Sequence, residues 1–82
     1  MPYIKQERRI EVSPIIDLMM DLNVKADGDL NYILFAFCKF AVPPSYNNYK
    51  NFLGELRQCV VEIERRMLVP YEEEKIAENG EV

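Results

Sequence analysis

Four carboxylates in this chain have spacings that could serve a metal ion. Asp17 and Asp21 stand four apart and Glu55 and Glu62 seven apart, so on helices each pair shares a face. Four acids from two facing helices could hold Mg²⁺, as in all-helical enzymes that hydrolyse nucleoside triphosphates. Those enzymes usually carry tighter paired-carboxylate motifs, and a solvated acidic face explains the same residues. Glu72, Glu73 and Glu74 are consecutive, so on a helix they splay apart and cannot all converge on one ion.

The basic residues offer a different chemistry. Arg65 and Arg66 are adjacent, as are Arg8 and Arg9, and with Lys75 they could form an anion site or an arginine-based contact to nucleic acid. The plainer reading is structural: one of Arg65 and Arg66 reaches back to Glu72 or Glu73. Asn31 and Tyr32, with Tyr71 and Tyr3, are candidates for a polar cluster of the same structural kind. The chain has no histidine. That removes the usual general base, the nucleophile–histidine arrangements and the commonest metal ligand. Cys38 and Cys59 are separated and lie in apolar patterns, where cysteine behaves as a small hydrophobe. No catalytic residue, cofactor or metal is therefore assigned. Asp17, Asp21, Glu55 and Glu62 are carried only as the alternative set.

These residues must be positioned by helices. The 82 residues suffice for one domain, and 49% are hydrophobic, a globular profile. Ser13 and Pro14 read as the start of a first helix over 13–25, with Ile15, Leu18, Met19 and Leu22 on one face. A second helix over 28–42 is apolar nearly all round and must be covered on nearly all sides. Pro43 and Pro44 stop it. A third helix over 45–68 opens on Ser45. It carries Tyr46, Tyr49, Leu53, Leu56, Val60, Ile63 and Met67 at alternating spacings of three and four, widened by Phe52 and Cys59. That seam suits coiled-coil-like packing. Gly54 lies inside this helix, off the seam, at a cost of about 1 kcal/mol relative to alanine. Pro70 predicts a sharp joint and a fourth helix over 70–79, which Asn79 and Gly80 end. Residues 1–12 read as an extended arm.

The expected fold is thus all-α: a small bundle of three to four helices with an N-terminal arm and one long third helix. Charge is unevenly placed. The formal net charge is -4, and residues 71–82 hold five glutamates against Lys75, while the arm is slightly basic. An acidic chain repels phosphate backbones, which counts against nucleic acid as a general partner. No apolar leader is visible at the start, and the longest apolar run is too short for a bilayer and interrupted by Lys39. A cytoplasmic protein is expected.

Three blocks, MPYIKQERR, GDLNYILF and ERRMLVPYEEEKIAENGEV, give the chain a further likeness. It resembles a family of small uncharacterised proteins of bacteria, archaea and phages. Its members begin with MPYI, carry GDLNY, and end in an arginine pair, YE, a lysine and NGD or similar. The likeness spans nearly the full length. Glu81 stands where aspartate is commoner, and Val82 precedes a frequent terminal tyrosine. The resemblance names no catalytic residue and implies an uncharacterised function in a phage or mobile-element setting.

The shared blocks place polar residues at element junctions. The expectation is a polar clasp of Arg8, Arg9, Asn31, Tyr32, Arg65, Arg66, Tyr71, Glu72 and Lys75, tying the acidic end to the helices. The surplus apolar surface of the second helix predicts a homo-oligomer, a dimer before larger assemblies, and leaves room for another protein partner. The favoured function is a non-enzymatic interaction or accessory module. The alternatives are a Mg-dependent phosphohydrolase and a nucleic-acid accessory binding through its arginine pairs.

Overall fold

Helix formation starts earlier than Ser13 suggests. The structure is a computed structural model and describes residues 3–81. Met1, Pro2 and Val82 lie outside the described residues, and with them the first half of the MPYI block and the chain's last position. The first helix, α1, spans Gln6–Asp21. Residues 6–12 are therefore helical, which corrects the extended arm. The physical reason is local: residues 6–9 are good helix formers, Glu7 complements the helix dipole, and Arg8 pairs with Glu11 at 3.5 Å.

Pro14 consequently sits inside α1 and not at its start. Its missing N–H would leave the carbonyl of Ile10 without a donor. The Ser13 hydroxyl donates to that carbonyl at 2.9 Å. Ser13 is thus a patch in the helix wall, not a cap. At the other end Asn23 adopts φ +57°, in the left-handed region that asparagine tolerates. The Val24 N–H bonds the Met19 carbonyl and the Asn23 N–H bonds the Met20 carbonyl, both at 3.0 Å. This paired pattern around a left-handed residue closes the helix and satisfies two of its last carbonyls.

The second helix, α2, spans Gly28–Ala41. Asp27 caps it by accepting the Asp29 N–H at 3.0 Å. The carboxylate of Asp29 accepts the Lys25 N–H at 3.3 Å, so two aspartates hold the whole α1–α2 link. The Val42 N–H bonds Cys38 O before the proline pair ends the helix.

The third helix, α3, spans Tyr46–Ile63. Ser45 caps it, its hydroxyl accepting the Asn48 N–H at 3.0 Å. Asn48 Nδ2 donates to Pro43 O at 3.0 Å, fastening the turn behind the cap. The helix then continues without a joint. A π-turn, Glu64–Leu68, leads directly into α4, Val69–Asn79. The Val69 N–H bonds Glu64 O, five residues back, and both Leu68 and Val69 keep helical angles. The sharp break expected at Pro70 is absent. A widened turn opens the helix wall where the proline ring would otherwise press on the carbonyl one turn earlier. Gly80, at φ +84°, closes α4 through its N–H to Ile76 O at 2.7 Å.

The fold is all-α, with three helices counting α3 through α4 as one, and no strand among the described residues. The chain divides into two units, Met1–Tyr49 and Lys50–Val82. In the first, α1 and α2 follow one another through the short link that Asp27 and Asp29 fasten. The second is one helical rod, about 45 Å from Lys50 to Asn79 at 1.5 Å per residue. None of the described residues is buried. Large side chains of α2 stay exposed: Phe35 is 67% and Phe40 80% exposed. Among the described residues no helix is long and apolar enough to cross a membrane.

Candidate interaction surface

On the rod, one carboxylate organises the arginine pair. Glu62 lies one turn before Arg65 and Arg66. Arg65 Nη2 donates to both of its oxygens, at 3.0 and 3.1 Å, and Arg66 Nη1 lies 3.8 Å from Oε2. The spacing of three and four brings both guanidinium groups over the same acid. Glu62 belonged to the alternative metal set. With two cations on its oxygens it is occupied as a structural anion. No three acids or cysteines among the described residues gather as metal ligands. Asp17 and Asp21 are exposed on α1, and Glu55 is exposed on α3.

Lys75 is engaged locally too. Its Nζ lies 3.1 Å from Glu78 Oε2 and 5.5 Å from the centroid of the Tyr71 ring. Tyr71 and Lys75, two of the residues expected in the clasp, meet only as neighbours within α4, joined by Glu78, which the expected clasp did not include. Its signal was the i,i+3 spacing from Lys75. Glu72 is exposed near the start of α4, inside the continuous rod.

In the first unit, Arg8 pairs with Glu11, and Arg9 Nε donates to Ile4 O at 2.9 Å. Arg9 thereby supplies an acceptor with a donor just ahead of α1. Asn31 and Tyr32 are exposed on α2; Asn31 joins the structure through its backbone N–H, which bonds Asp27 O at 3.2 Å. Tyr32 borders an open groove of about 320 Å³ with Leu22, Val24 and Asp29.

The apolar seam of α3 is present as a helical stripe. Leu53 is 46% and Ile63 49% exposed, and Val60 is exposed with them, while Leu56 and Phe52 are half-buried. Next to the Glu62 cluster a shallow groove of about 250 Å³ is lined by Glu62, Ile63, Arg66 and Met67. It joins the end of the apolar stripe to the charged group. Cys59 is exposed and Cys38 half-buried, both as free thiols.

Among the described residues, the surface joins an apolar stripe to an arginine pair held by a neighbouring acid. Comparison with known proteins gives no match among curated proteins and none among solved structures. The family comparison matches from residue 1 to residue 82, and the chain belongs to the family described as a domain of unknown function (DUF6899).

Proposed function

We propose that the protein is a non-enzymatic interaction module that works as a self-associated assembly, with a dimer as its simplest form. In a phage or mobile-element setting it would serve as a small accessory or adaptor protein. One observation carries the reading. None of the described residues is buried, although α2 is almost wholly apolar and α3 carries a regular apolar seam. Isolated helices are marginal in water, and most helical stability comes from packing an apolar face. Burying a few hundred Å² more at an interface would contribute several kcal/mol at about 25 cal/mol per Å², before association costs.

The test is the solution mass by light scattering over a concentration series spanning the micromolar range. The expected result is a dimer or larger assembly that dissociates on dilution. A well-folded monomer at high micromolar concentration would overturn self-association.

A further inference from the structure

We propose that the α3 seam pairs with the same seam of a second copy, antiparallel, about a two-fold axis near Gln58. The inference rests on the self-association reading and specifies its surface and direction. Written as a heptad, the seam places Leu53 and Val60 at position a and Leu56 and Ile63 at position d. Lys50, Arg57 and Glu64 then fall at position e, in one row beside the seam. Lys50 and Glu64 carry opposite charges and each stands seven residues from Arg57. A row with opposite charges at equal distances from its centre is complementary to itself under a two-fold axis.

The core and the charges agree on one register. An axis opposite Gln58 sets Leu53 against Ile63 of the second copy and Leu56 against Val60, giving four apolar layers. The same axis sets Lys50 beside Glu64 of the second copy, twice by symmetry. Its cost is one contact between the two Arg57 side chains, close to solvent and free to splay. A parallel, in-register pair would set Phe52 beside Arg57 and Cys59 beside Glu64, with no ion pair. Charge complementarity therefore selects the antiparallel arrangement, since electrostatics fix register and orientation more than they add affinity.

The experiment is a charge-swap cycle on the full chain, with helicity checked by circular dichroism. Lys50→Glu and Glu64→Lys should each weaken the dimer roughly tenfold, and the double variant should restore it to near the original constant. Direction is read separately, in a Cys38→Ser, Cys59→Ser background carrying either Lys50→Cys or Glu64→Cys, with a short bismaleimide linker. The two positions lie about 21 Å apart along one helix, beyond a short linker, so a 50-to-64 link must join two chains. The expected product is that mixed link, formed only when the two variants are combined. Links within the Lys50→Cys variant alone, or a double swap as weak as its two singles combined, would overturn the antiparallel register and leave the dimer standing. A monomeric parent protein would overturn both.

Discussion

The Ser13 hydroxyl donates to the Ile10 carbonyl at 2.9 Å, supplying the donor that Pro14 cannot. A proline inside a helix normally costs about 3 kcal/mol, partly from that lost bond. Here a neighbouring side chain recovers some of it.

Ser13→Ala should therefore lower the stability of α1 by about 0.5–1 kcal/mol, the net value of a hydrogen bond. Pro14→Ala should raise it, because the backbone N–H returns. In the Pro14→Ala background the loss of the Ser13 hydroxyl should be nearly silent. Thermal unfolding followed by circular dichroism across the four proteins of the cycle reads this coupling. Additive effects would show that the hydroxyl and the missing N–H do not serve the same carbonyl.

Gly54 sits inside α3, and a Cβ built there meets nothing within 4 Å. Gly54→Ala should stabilise the helix by about 1 kcal/mol through the lower entropy of the unfolded chain and better helix propensity. Position 54 lies off the seam, so the solution mass should not change. Loss of stability would mean that another chain approaches the backbone at this point.

Pro70 accounts for the wide turn before it. Replacing it in Pro70→Ala should let Glu64–Leu68 tighten into ordinary α-helix, with a gain of about 1–3 kcal/mol. The marker is the Val69 amide, whose bond to Glu64 O should pass to Arg65 O. Backbone chemical shifts over 64–69 report the change. An unaltered pattern would place the cause of the turn elsewhere.

Glu62 is 21% exposed, whereas Arg65 and Arg66 are mostly solvated. Glu62→Gln should cost about 0.5–1 kcal/mol, as expected for an exposed ion-pair cluster. The difference between the two proteins should shrink in high salt. A cost independent of salt would point to packing of the side chain against the adjacent apolar stripe instead.

Much of the fold was legible because helix ends are decided locally. Ser45, Asp27 and the Asn79–Gly80 stop act through bonds to residues two to four positions away, and such bonds are written in short spacings. The misread ends have the same character. Ser13 followed by Pro14 has the form of a helix start, yet the helix-forming residues ahead of it, Gln6 to Val12, contain no breaker. The serine then turned its hydroxyl backward. The first helix was expected to run to residue 25, although Asn23, a residue tolerant of positive φ, closes it earlier. At Pro70 a stop for one helix and a start for the next were both expected, and a π-turn lets the helix pass instead.

The candidate surface was legible in part. The seam of α3 follows from spacing alone. The structural reading of Arg65 and Arg66 rests on Glu62, three and four positions before them, a spacing as plain as the one that suggested a reach to Glu72 or Glu73. Glu62 was read with Glu55 because both are acids, although its nearest helical neighbours are cations. The degree to which α2 and α3 stay exposed was not written in short spacings, since cover depends on contacts distant in sequence.

The π-turn also sets where the apolar stripe along the rod must end. An added residue in the turn rotates everything after it by roughly 100° about the helix axis. A second helix following the stripe from Lys50 onward would meet the apolar face only as far as the turn, and a different face beyond. The rod therefore carries its own length stop. A contact that follows the stripe is therefore confined to the turns before Glu64.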